Sequence, residues 1–195
     1  MWKLFLLFTV VPAVELFLLL QIGALLSGAG RLPADAFVRS GIALYGLSPT
    51  GDASPLAQHD LRPAMRFASG VVQLRTVAAG ETVSYGRTWT APRPTRIATV
   101  ALGYADGLPR ALSNRGAMAV RGRRYPVAGV VCMDLTMLDL GPPGGPGDAV
   151  APGDIAEAIG GAGPSAWDLA RLCGTIPYEI LARVGARVPR VTVGG

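Results

Sequence analysis

Lysine is almost absent from this chain. Lys3 is the only one in 195 residues, and every other basic side chain is an arginine. Chemistry that uses a lysine amine as nucleophile or covalent anchor therefore has a single candidate. Histidine is represented by His59 alone, in a loop with proline and aspartate. Cysteine is represented by Cys132 and Cys173, far apart and outside any CxxC pair. This scarcity indicates neither a zinc site nor a disulfide framework. No GxSxG turn accompanies His59 to build a Ser/His/Asp set, so it reads as a surface-loop histidine. Charged residues are only 16% of the chain, and the net charge of +5 is scattered apart from Arg121, Arg123 and Arg124. Without a basic stripe interleaved with aromatics, nucleic acid is not an expected partner.

Hydrophobic residues are plentiful at 50%, so a packed core is within reach and general disorder is not expected. Residues 4–26, LFLLFTVVPAVELFLLLQIGALL, form an apolar run broken only by Thr9, Glu15 and Gln21. That length suits a bilayer and predicts a transmembrane helix over 1–27. Glu15 near its centre would cost roughly 2.5–3.5 kcal/mol on insertion scales. A secretory signal is the competing reading, against which stand the length of the run, its carboxylate and the lack of an A-x-A site. The segment also resembles the opening of the FxsA-like family of bacterial inner-membrane proteins. The expected placement is an inner-membrane anchor bearing a cytoplasmic C-terminal domain.

From residue 31 the pattern changes to short apolar runs between turn residues. Gly41 to Tyr45 reads as one buried strand entering a loop. VVQLRTV, TRIATVALGY, AMAVRG, YPVAGVVCMDLTMLDL and RVTV then follow in quick succession, which predicts a mainly β domain. In VVCMDLTML a period of two sets Val131, Met133, Leu135 and Met137 on one face of a strand, with Cys132, Asp134, Thr136 and Leu138 on the other. Two short helices are expected near the end. Asp154 with Glu157, and Ser165 with Asp168, have the spacing of an N-cap and its third residue, and Gly160 and Gly174 would end those helices.

No single short motif identifies a reaction. In order and together, however, RSGIALYG at 39–46, SYGRTW at 84–89, ALGYADGLPR at 101–110, GVVCMDLTMLDL at 129–140 and GTIPYEILARVGARVPR at 174–190 resemble the alanine racemase family. The resemblance implies a pyridoxal-phosphate enzyme interconverting L- and D-alanine for cell-wall synthesis, with an N-terminal barrel and a mainly β C-terminal domain. Residues 28–50 would be the remnant of the barrel end and 51–195 the C-terminal domain.

The resemblance also assigns roles. Tyr104 matches the catalytic tyrosine that removes or returns the α-proton; a phenol of ordinary pKa about 10 must be tuned to do so near neutrality. Taken alone, the same residue reads as a rim tyrosine at a strand end. Arg39 matches the arginine facing the cofactor's pyridine nitrogen, where a guanidinium donates without giving up its proton. Gly41 and Ile42 match positions whose amides meet the cofactor phosphate, and Tyr178 matches a hydroxyl reaching the same phosphate. Met133 matches a position whose backbone contacts the substrate carboxylate. Tyr104 and Met133 would enter a neighbouring subunit's site, which implies a homodimer or a barrel-bearing partner.

One departure weighs on all of this. A complete barrel typically takes about 250 residues, and the family's Schiff-base lysine, which is also its second catalytic base, has no counterpart here: Lys3 precedes the apolar run, outside the matching blocks. The expectation is a chain incomplete for catalysis by itself, with a membrane-tethered noncatalytic β domain or a fusion remnant as the alternative.

Overall fold

A computed structural model describes residues 41–49 and 61–192 of the chain. The expected transmembrane segment, Lys3, Arg39 and His59 lie outside these residues. Among the described residues, no helix is long and apolar enough to cross a membrane.

In the N-terminal unit, Gly41–Tyr45 is a short 3-10 helix and not the strand its apolar run predicts. Gly41 has φ +51, a conformation that a pleated strand does not contain. Ile42 is buried, whereas Leu44 is 73% exposed, so the segment turns only one side chain inward. Gly46 closes the turn through its amide, 2.9 Å from the Ala43 carbonyl, and Ala64 returns to bond the Tyr45 carbonyl at 3.0 Å.

The compact unit from Met65 onward is built on an antiparallel sheet of six strands. The eight strands in chain order are β1 (Phe67–Val77), β2 (Thr82–Val83), β3 (Trp89–Thr90), β4 (Thr95–Val100), β5 (Ala117–Val120), β6 (Arg123–Pro126), β7 (Thr136–Gly141) and β8 (Ile155–Ile159). The main sheet runs β6-β5-β8-β1-β4-β7, while β2 and β3 pair as a separate hairpin. Its two edges meet: Val127, just past β6, bridges Leu138 in β7, and the Ala128 amide donates to the Met137 carbonyl at 2.8 Å. The sheet thereby curls into a barrel-like body with few open edges.

The long strand β1 makes this curvature possible. Its first part, Phe67–Gly70, pairs with β8, and its later part, from Val71, pairs with β4. The register slips at Phe67/Ala68 and again between Val71 and Gln73, and such bulges bend a strand. Inside lie Val71, Val77, Ile97, Val100, Met118, Val120, Leu138 and Leu140, all nearly inaccessible. Each side chain of this size contributes about 1.5–3 kcal/mol by leaving water.

Three segments differ from expectation. The segment after Asp154 is strand β8, not a helix. Ala156 and Ala158 are fully buried at a period of two, and ladder bonds to β1 and β5 on either side outweigh the local cap signal. Asp154 closes a turn by accepting from the Ala151 amide at 2.9 Å, and Glu157 faces Arg66 at 2.7 Å. The strand expected through 131–138 begins only at Thr136; Cys132–Leu135 forms a tight bend closed by the Cys132 amide on the Leu135 carbonyl at 2.9 Å. Residues 190–192 of the RVTV run are in no strand.

The second expected helix is present as α1 (Ala166–Cys173). Ser165 Oγ accepts from the Asp168 amide at 3.1 Å and the Asp168 carboxylate accepts from the Ser165 amide at 2.9 Å, a reciprocal capping box. Gly174 ends it with φ +68. A further short helix, α2 (Pro177–Ala182), starts with proline at its first position, where no amide bond is lost.

Candidate active site

The chain leaves β4 at Val100 and turns sharply. Thr136, wholly buried, donates its hydroxyl to the Leu102 carbonyl at 2.7 Å and ties the departing segment to β7. Tyr104–Asp106 then form a single 3-10 turn. The Tyr104 amide donates to the Cys132 carbonyl at 2.9 Å, and the Ala105 amide to the Met133 carbonyl at 3.0 Å. Gly103 must be glycine for this approach, since a Cβ there would lie 2.2 Å from the Met133 oxygen. The turns at 103–106 and 132–135 are thus joined backbone to backbone, carrying Tyr104 and Met133 on adjoining segments.

Their side chains stay outside the core. Tyr104 is 45% exposed and Met133 54% exposed, and Tyr85 and Leu135 are exposed as well. An open groove of about 430 Å³ takes in Met133 and is lined by Ser84, Tyr85, Cys132, Met133, Asp134, Leu135 and Met137. Ser84 sits at its wall in a left-handed conformation, φ +69, and donates its hydroxyl to the Val130 carbonyl at 2.8 Å.

The tyrosine turn is held from a third side by the C-terminal segment. Asp106 Oδ2 accepts from the Gly103 amide at 2.8 Å, while Asp106 Oδ1 accepts from Arg187 Nε at 2.8 Å. Arg187 Nη2 reaches Asp134 Oδ1 at 2.6 Å. The hydrogen bonds that the guanidinium donates to these two carboxylates raise its pKa further and keep it in its charged form. Gly107, at φ +113, passes so close to Arg183 that a Cβ would lie 2.4 Å from its carbonyl oxygen. The Gly185 amide bonds the Asp106 carbonyl at 3.0 Å.

Tyr178 stands near the start of α2, whose C-terminal end leads into this same packing. It is 37% exposed, and burial pushes its phenol above the usual tyrosine value, so it is a neutral hydroxyl donor near pH 7. Thr175 donates to Glu179, and that bond with the Arg183 contact holds the Glu179 carboxyl below its ordinary range. Cys173, by contrast, is pushed up by burial, against the pull of Arg115 and Arg183.

The residues singled out from the sequence therefore divide. Tyr104 and Met133 come together on interlocked turns, and Tyr178 occupies the helix that runs into them. Gly41 and Ile42 open the 3-10 helix of the N-terminal unit, and space for a side chain is open at Gly41. The ion-paired set Asp106, Asp134 and Arg187 and the groove residues Ser84 and Tyr85 went unrecognised as site residues. Their blocks carried a signal only as spacing, because the pairs close over 81 and 53 residues of chain.

Residues 64–192 match the family described as alanine racemase, C-terminal domain. An alanine racemase of Sorangium cellulosum is 48% identical over 165 residues, covering 82% of this chain and 42% of that protein. Among solved structures, alanine racemase from the D-cycloserine-producing Streptomyces lavendulae superposes with a TM-score of 0.73 at 43% identity, covering 81% of this chain and 41% of its own. Alanine racemase from Bartonella henselae, with covalently bound pyridoxal phosphate, gives 0.68 at 33% identity over 78% and 40%. The chain spans about two fifths of the length of the relatives it matches.

Proposed function

Because this chain belongs to the alanine racemase family through its C-terminal domain, we propose that the domain supplies the tyrosine arm of an alanine racemase active site. In this reading Tyr104 exchanges a proton with the α-carbon of bound alanine from one face. The observation that carries it is the locked turn at 104–106, which fixes the Tyr104 backbone through Cys132 and Met133 yet leaves the ring 45% exposed. A general base or acid needs this combination of a fixed origin and an accessible tip. The Met133 backbone, on the adjoining bend, would meet the substrate carboxylate.

The donor set agrees with the family's cofactor only in part. The Tyr178 hydroxyl, neutral near pH 7, and the amides of Gly41 and Ile42 suit phosphate contacts, with Arg39 proposed opposite the pyridine nitrogen. No lysine occurs among the described residues, so they do not fit covalent attachment of pyridoxal phosphate or the second base that racemisation requires. We therefore place that amine on a barrel-bearing partner, with L- and D-alanine as substrates. The exposed side chains of Tyr85, Tyr104, Met133 and Leu135 are the surface such a partner, or a second copy, would cover. The same exposure supports a second reading, a noncatalytic β domain that uses these side chains for protein contacts.

The test is D-alanine formation from L-alanine by the full chain with added pyridoxal phosphate, with Tyr104→Phe as control. No turnover is expected from the chain alone. Tyr104-dependent turnover would mean that Lys3 or the terminal amine completes the pair, and would overturn the assignment of the amine to a partner.

A further inference from the structure

Arg187 stands where the two turns of the site can be held at a fixed separation. Its guanidinium forks, with Nε on Asp106 Oδ1 at 2.8 Å and Nη2 on Asp134 Oδ1 at 2.6 Å. Asp106 belongs to the tyrosine turn and Asp134 to the bend that carries Met133. Asp106 already spends its other oxygen on the Gly103 amide, so its carboxylate is oriented before the arginine arrives. The arginine itself comes from a segment folded on its own backbone: the Val188 amide returns to the Gly185 carbonyl at 3.2 Å, and Arg190 Nη2 reaches the Val184 carbonyl at 3.0 Å.

We infer that Arg187 is a positioning residue that sets the angle and spacing of Tyr104 relative to Met133 by clamping Asp106 and Asp134 together. The main-chain bonds from 104 and 105 to 132 and 133 fix where the turns touch, but two neighbouring bonds leave them free to hinge about that contact. A rigid, planar fork anchored on both carboxylates removes the hinge, which a lysine ammonium, a point charge on a flexible stem, cannot do. Asp134 is largely exposed, so its place on the arm of Arg187 is explained by geometry and not by burial. That the position matters to catalysis rests on the racemase reading; that Arg187 fixes it does not.

The experiment labels the full chain with 3-fluorotyrosine and follows the five tyrosine signals, the Tyr104 resonance being assigned with Tyr104→Phe. In Arg187→Gln the Tyr104 signal moves by more than its linewidth and broadens, while that of buried Tyr125 stays in place; Arg187→Lys gives a smaller change in the same direction. An unmoved Tyr104 signal in a folded Arg187→Gln would overturn the proposal. If that variant fails to fold, Asp134→Asn, altered at an exposed side chain, is read in the same way, and an unmoved Tyr104 signal there has the same meaning. In the presence of a barrel-bearing racemase chain that lacks its own tyrosine, Arg187→Gln lowers kcat about tenfold to a hundredfold with KM little changed. Unchanged kcat beside a displaced signal would overturn the catalytic importance of the clamp. Failure of the racemase reading shows instead as absence of Tyr104-dependent turnover in the unmutated chain, and leaves the fluorine result to decide the clamp.

Discussion

Tyr104 hangs from the backbone of Cys132: its amide donates to the Cys132 carbonyl at 2.9 Å, which pins the tyrosine turn to the methionine bend at that contact. The ring is left out of the core, and its loss should cost little structurally. Tyr104→Phe is expected to change unfolding free energy by no more than about 0.5 kcal/mol, as for exposed positions. Urea unfolding checks this, and a larger loss would mean that the hydroxyl has a structural partner.

Gly103 is the most constrained position of the site. A methyl group there meets the Met133 oxygen at 2.2 Å, so Gly103→Ala must pry the two turns apart. The expected cost is about 1–3 kcal/mol, the usual penalty of overpacking, measured by urea unfolding. A neutral substitution would show that the turns separate easily.

Thr136 shows how the barrel supports the site from beneath. Replacing it with valine keeps the shape but leaves the buried Leu102 carbonyl without the hydroxyl that meets it at 2.7 Å. Thr136→Val is expected to destabilise by about 1–3 kcal/mol, the cost of a buried polar group left unmatched, and thermal unfolding with and without the hydroxyl measures it.

Much of the barrel was legible in the sequence because its strands are short apolar runs bounded by turns. For that reason VVQLRTV falls within β1, and TRIATVALGY and AMAVRG contain β4 and β5, these last two runs extending past the ends of their strands. Asp154 to Gly160 did not, because an acidic pair at cap spacing looks the same before a helix as in a turn leading to a strand, and only the neighbours β1 and β5 decide between them. Gly41 to Tyr45 failed similarly: five apolar letters do not reveal that the leading glycine sits at φ +51. Tyr104 and Met133 were visible as a pair only through their resemblance to a family, since nothing local links residues whose turns meet through tertiary bonds. Arg187 was invisible, being one arginine among many until the fold carried it to Asp106 and Asp134.

The capping box of α1 carries a pH dependence. Burial opposes ionisation of Asp168, but bonds from the Ser165 amide, Arg171 and the Ser165 side chain outweigh it and hold the carboxyl below its ordinary range. Its stabilisation is fully present above the unfolded carboxylate pKa, about 3.9, and is lost as pH falls below that through the folded value. Asp168→Asn should therefore reduce stability at pH 7 and make unfolding less sensitive to acid below about pH 4. Urea midpoints at pH 7 and pH 3 compare the two; a difference independent of pH would refute the link to this carboxyl.

Cys173 offers a chemical check of the α1–α2 junction. Burial raises its thiol, so at pH 8 it should alkylate with iodoacetamide more slowly than cysteine in a short peptide, with its rate profile displaced to higher pH. Mass spectrometry of the Cys173 peptide over time reads the rate. Alkylation as fast as in the free peptide would contradict this environment.

The central claim, that this domain brings the tyrosine and a partner brings the amine, is tested most directly by mixing. The full chain is combined with a barrel-bearing alanine racemase whose own C-terminal-domain tyrosine has been changed to phenylalanine, pyridoxal phosphate is added, and D-alanine formed from L-alanine is measured. The account predicts turnover that appears only on mixing and disappears with Tyr104→Phe. Mixed chains that stay inactive despite forming a complex, or that turn over equally with Tyr104→Phe, would contradict it.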